Sequence, residues 1–239
     1  MNIMKCSELK STYFSALIYA RPGMGKTTLL GSLPGKVLII DVDRGTTVLS
    51  GSDTKADCVR LKEDLSDLSA IIDELSTNCP YDIVALDSLS ELEKNMLTVL
   101  GRLGKNNGAP ERGHYNIVQH KVADYVRRIR ALPCNCVFTA WEEPKEVANE
   151  DGSTFTIARP SLSGKTSDIV CGLVDMVGQL RITPPKDGSE VGTRFVDFRS
   201  ATNAVRKDRV FHRDFCMGPD LFEKPKEKSA DKKATKEGK

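Results

Sequence analysis

The sequence predicts an α/β fold: a mostly parallel sheet flanked by helices, with a β-rich C-terminal third. Three observations predict it. Short apolar runs bounded by polar turns alternate with stretches of helical periodicity. A glycine-rich loop stands directly between an apolar strand and a helical start. The last third carries further apolar runs and a hairpin signal instead of a long helical pattern.

Taken in order, the strands are read at Tyr13–Tyr19, Lys36–Ile40, Ile83–Leu86 and Cys136–Thr139. Between them Leu65, Leu68, Ile71, Ile72 and Leu75 recur at helical spacing, as do Leu89, Leu92, Met96, Leu97 and Leu100. A third helix is read from Val118, Val122, Tyr125, Val126 and Ile129, with Lys121, Arg127, Arg128 and Arg130 on its other faces. Lys145–Ala158 then reads as a hairpin about Asp151-Gly152, and apolar runs follow at Val174–Ile182 and Arg194–Phe198.

Composition narrows the function classes. With 239 residues, 28% charged and 39% hydrophobic, the chain can bury a core, and it has no apolar run long enough to span a membrane. From Glu223 on there is no aliphatic residue larger than Ala, so residues 1–222 are read as one domain and 223–239 as a disordered Lys-rich tail. That tail, with seven Lys against four acidic residues, carries +3, and the body −1, within a net charge of +2. Seven cysteines without C-x-x-C spacing, behind an N-terminus lacking a signal-peptide core, fit a reducing cytoplasm and core roles for the thiols rather than a zinc site.

The sharpest signal is Ala20-Arg21-Pro22-Gly23-Met24-Gly25-Lys26-Thr27-Thr28, placed between FSALIY and TTLLGSL. Strand, glycine loop and helix start in that order form a phosphate-binding loop. The glycines let backbone N–H groups converge on phosphates; Lys26 would neutralise β/γ oxygens, and the Thr27 hydroxyl would face Mg2+. A carboxylate is then needed at the end of a neighbouring strand, and Asp87, after Ile83-Val84-Ala85-Leu86, supplies it. Asp41 and Asp43 end the strand VLII two residues apart, on one face. Asp43, nearer the C-terminal edge, is the candidate to orient an attacking water, and Asp41 is read as a sheet-end residue.

This succession of ARPGMGKTT, LIIDVD and IVALDS resembles the RecA core, a P-loop ATPase fold. Pro160-Ser161-Leu162-Ser163-Gly164-Lys165, Val174-Asp175-Met176-Val177 and Val205-Arg206-Lys207-Asp208-Arg209 resemble phage nucleotide-binding proteins of the AAA type, among them the Sak-type single-strand annealing recombinases. The resemblance covers roughly residues 10–215. It implies ATP with Mg2+, Asp43 as catalytic base where the fold usually has Glu, and Thr139 at the polar sensor position, where it would read the γ-phosphate, a polar strand end being its other reading. It also implies a homo-oligomer, ring or filament, in which Lys207 or Arg209 completes a neighbour's ATP site; a surface turn is the other reading of those two.

For partners, the resemblance implies single-stranded DNA, with a single-strand binding protein as a further candidate, in the host bacterial cytoplasm. The segment Gly101–Tyr115, with Arg102, Lys105, Arg112 and Tyr115, occupies the position of a DNA-facing loop. A mobile surface connection reads the same way. Two other functions stay open: a replication accessory ATPase, helicase or helicase-loader-like, and a nucleotide-binding scaffold with little turnover.

Overall fold

The computed structural model describes Lys5, Glu8, residues 12–184 and residues 192–225. The expected disordered tail lies outside the described residues from position 226 on. Among those described, ten strands form the sheet.

Its centre is β1 (Ser15–Ala20), wholly buried because every side chain meets one of two apolar faces. Alternation divides them: Leu17 and Tyr19 join one core cluster, Ala16, Ile18 and Ala20 the other. Around β1 run β2 (Val37–Asp41), β3 (Asp57–Arg60), β4 (Ile83–Asp87), β5 (Asn135–Ala148) and β7 (Met176–Ile182), with β6 (Thr154–Pro160) hairpinned to β5. The chain closes with β8 (Arg194–Asp197), β9 (Lys207–Asp208) and β10 (Phe215–Cys216). The order is β10-β8-β7-β1-β5-β4-β2-β3, parallel from β7 through β3 and antiparallel beyond β7.

Helices α2 (Leu68–Thr77), α3 (Leu89–Leu103), α4 (Arg112–Arg130) and α5 (Thr166–Leu173) cover the Leu17/Tyr19 face. The short α1 (Lys26–Gly31) and the segment around Phe198 and Leu221 cover the other. The predicted class, α/β with a mostly parallel sheet flanked by helices and a β-rich C-terminal third, is the one observed. One strand, β5, separates the glycine-loop strand β1 from β4; β1 and β4 end at the same edge of the parallel sheet, and β5 passes beyond it into the hairpin with β6.

Several boundaries differ from expectation. Leu65 precedes α2, with a left-handed φ of 58°. Strand β5 runs on through residues 142–148, beyond the apolar run, because the β6 hairpin supplies its partners, and the turn falls at Asp151-Gly152 as expected. Cys134, Cys136, Cys171 and Cys216 are buried free thiols.

Candidate nucleotide site

The glycine loop leaves β1 at Ala20 and enters α1 at Lys26. Gly25 caps the helix at φ 92°, a left-handed conformation that glycine adopts at little cost. Lys26 folds back, donating from Nζ to the carbonyls of Ala20 at 3.1 Å and Arg21 at 3.3 Å. Burial holds its pKa below the ordinary value, against the pull of Asp87, Asp43 and Glu142. A cavity of about 430 Å3 opens here, lined among others by Gly23, Lys26, Thr28, Asp43, Asp87 and Arg194.

Asp87 ends β4 beside Asp41 of β2, the two paired in register. It is nearly fully buried. Its carboxylate accepts from Thr27 Oγ1 at 2.6 Å and from the Thr139 hydroxyl on β5. A hydroxyl and a carboxylate held side by side at the loop are hard oxygen donors of the kind Mg2+ takes alongside phosphate oxygens and water, so the residues present fit that ion. Among the described residues no group of three or more His, Cys, Asp or Glu is placed to hold a metal alone.

The two carboxylates after β2 part company. Asp41 is buried at the strand end, accepting from the backbone N–H groups of Gly45 and Thr46, from the Thr46 hydroxyl and, as an ion pair at 3.6 Å, from Arg60. It fastens the 3-10 turn Gly45–Leu49 to the sheet. Asp43 lies beyond the strand, so alternation no longer governs it. It accepts from Gly45 N–H at 2.9 Å and lines the cavity with Lys26. Burial pushes its carboxyl up, opposed by the Gly45 hydrogen bond and reinforced by Asp87, Asp41 and Glu91.

Of the predicted phosphate-site residues, Ala20 through Thr28, Asp43 and Asp87 converge on this edge, and Thr139 joins them. Its side chain is fully buried at the strand end and its hydroxyl donates to Asp87, a contact that neither reading of Thr139, γ-phosphate sensor or polar strand end, had named. Lys207 and Arg209 are elsewhere. Lys207 pairs with Val177, level with Leu17, three residues below Ala20 or about 10 Å down the sheet. Its ammonium donates to the Val174 carbonyl at 2.5 Å, whereas Arg209 is exposed.

The segment Gly101–Tyr115 is not one loop. Gly101–Leu103 finish α3, Gly104–Glu111 connect, and Arg112–Tyr115 begin α4. Glu111 is taken up locally, its N–H donating to His114 Nδ1 and its Oε1 accepting from Lys105 N–H. Arg102, Lys105 and Arg112 are exposed and, among the described residues, pair with no carboxylate; Tyr115 and Leu103 are exposed beside them.

Glu142, which follows Thr139 on β5 and had no role from the sequence, receives Gln179 at 3.0 Å and Arg21 at 3.5 Å beside the loop, and Arg194, which sequence reasoning missed, reaches the loop from β8. Only tertiary folding brings either to the site, and no local pattern signals them.

Among the described residues no helix is long and apolar enough to cross a membrane. A solved structure of a KaiC-like protein from the hyperthermophilic archaeon Pyrococcus horikoshii OT3 is similar at 14% identity and a TM-score of 0.43, over 79% of each chain. No curated protein sequence matches. A family model described as "AAA domain" matches residues 12–210, which include the glycine loop, Asp43, Asp87 and β1 through β9. By that match, the chain belongs to the AAA-domain family of P-loop proteins.

Proposed function

We propose that this protein is a Mg2+-dependent ATPase that works on single-stranded DNA, in recombination or strand annealing of the phage type. The observation that carries the nucleotide half is the cavity in which Lys26, Thr27, Asp43 and Asp87 meet under one glycine loop. Lys26 and the loop N–H groups hold the β/γ phosphates. Mg2+, when bound by Thr27 and Asp87, neutralises phosphate charge. Asp43 takes the proton from a water whose oxygen bonds to the γ-phosphorus, while the bond to the bridging oxygen breaks and ADP leaves with that electron pair. A carboxyl held above its ordinary pKa is the better proton acceptor.

Support for the DNA half comes from Arg102, Lys105 and Arg112, exposed and unpaired beside the exposed ring of Tyr115, a combination suited to phosphates and a stacked base. For the neighbour's ATP site Arg209 is the better donor, since Lys207 spends its ammonium on Val174. ATP turnover measured with and without single-stranded DNA at low salt tests this. Stimulation lost in Lys105→Glu/Arg112→Glu supports it; absence of both DNA binding and stimulation in the wild type would remove the DNA half. Mixing Arg209→Ala with Lys26→Ala subunits should restore turnover if the arginine acts across an interface.

A second reading, a nucleotide-binding scaffold with little turnover, is favoured by one feature: the Asp43 carboxylate is held on Gly45 N–H, a short side chain already engaged. ATP binding without hydrolysis would select it.

A further inference from the structure

Arg194 opens β8 and lies against the glycine loop. Its Nε donates to the Met24 carbonyl at 3.2 Å, across 170 positions of sequence. A Cβ placed on Gly25 would stand 2.7 Å from that Nε, so glycine at 25 leaves room for the guanidinium as well as for the left-handed turn. The guanidinium has five N–H groups. Only Nε has a partner among the described residues, and no carboxylate there lies within ion-pair distance.

The strand beneath it is firmly held. Arg194 pairs with Ile182 and Val196 with Leu180 across the β7–β8 ladder, Val196 is wholly buried, and Arg181, Arg199 and Arg206 converge on the buried Asp197 carboxylate. A fixed backbone thus presents an exposed side chain at the mouth of the cavity. Among the charged residues lining it, Lys26 and Arg194 face Asp43 and Asp87, so their formal charge balances. Without Arg194 it would be −1, which repels a polyphosphate.

We propose that Arg194 is a polyphosphate-binding residue of the nucleotide site, supplied by the same chain, which exchanges the Met24 carbonyl for phosphate oxygens when nucleotide binds. The planar fork of N–H groups matches two oxygens of one phosphate or one on each of two. The proposal rests on the nucleotide reading of the glycine loop and adds to it a cation from β8 that needs no neighbouring subunit.

The test is isothermal titration of the full chain with MgATP and with inorganic tripolyphosphate, using the wild type, Arg194→Ala, Arg194→Lys and Lys26→Ala. Arg194→Ala should weaken both ligands about 10-fold or more, the loss expected for charge-assisted hydrogen bonds, and Arg194→Lys should recover part of it. Ligand-free melting should be unchanged, since Arg194 is exposed and makes one weak bond; the ATP-induced rise in Tm should shrink. Unchanged ATP affinity in Arg194→Ala, with binding lost in Lys26→Ala, overturns the Arg194 proposal and leaves the phosphate site standing. Weaker ATP binding with tripolyphosphate unaffected places the contact on the nucleoside and also overturns it. A wild type that binds neither ligand removes the underlying reading itself.

Discussion

The Thr27 hydroxyl donates to Asp87 Oδ2 across 2.6 Å, joining positions 60 residues apart in the chain. Thr27 lies in the first turn of α1 and Asp87 closes β4, and β5 between β1 and β4 contributes Thr139 to the same carboxylate. Three elements thus converge on one carboxylate. Its oxygens are set by strand register, which is stiffer than loop geometry.

Thr139→Val keeps the buried shape and removes one hydrogen bond to Asp87. The Mg2+ concentration needed for half-maximal ATP binding should rise about 10-fold, as for partners that orient metal ligands. ATP binding measured in chelator should not change.

Asp41→Ala and Asp43→Asn should separate stability from chemistry. Asp41 is buried among donors, and its loss strands the Thr46 hydroxyl, two N–H groups and Arg60, at a cost of about 2–4 kcal/mol in denaturant unfolding. Asp43→Asn should fold and bind ATP normally while turnover falls about 100-fold.

The acid limb of turnover should report Asp43. Because burial and the neighbouring carboxylates Asp87 and Asp41 raise its pKa above the ordinary 3.8, its base form is lost at a higher pH than for a free aspartate. kcat should fall as pH drops through that raised value, and the limb should vanish from the residual rate of Asp43→Asn.

Lys207 gives a stability signature of opposite kind. Burial lowers its pKa from 10.5 to about 8, with Arg209 adding to the effect. Between about pH 8 and 10.5 the unfolded chain therefore binds more protons than the folded one, and stability rises with pH through that window. Below about pH 8 the cost of holding the charged form is fully present. Relative to Lys207→Met, the wild type should gain stability from pH 8 to 10.5 in thermal melts; a gap independent of pH would contradict the buried placement.

The glycine loop was legible because its residue types answer to one local geometry, and Asp87 because four apolar residues lead directly into it. Short apolar runs bounded by polar turns also revealed β1, β2 and β4. They could not reveal that β5 runs unbroken into the hairpin, since Glu142, Glu143 and Pro144 continue no apolar run and are held by cross-strand partners. Thr139 was placed at the sheet edge, but its contact with Asp87 was not legible, because register with Asp87 is a tertiary fact. Arg194 carried no signal: its significance comes from β8 folding back onto a loop far earlier in the chain. Helix α5 was missed because its eight residues mix small polar and apolar types over too short a span to show a period.

The central claim, that Lys26, Thr27 and Asp87 form a Mg-nucleotide site, is tested most directly by titrating ATP with and without Mg2+ into the wild type and Lys26→Ala, read by the single tryptophan, Trp141, which lines the cavity. The account predicts Mg-dependent binding by the wild type and a loss of about 100-fold or more in a Lys26→Ala protein whose ligand-free melting temperature is no lower. A folded Lys26→Ala protein that binds ATP as tightly as the wild type would contradict it.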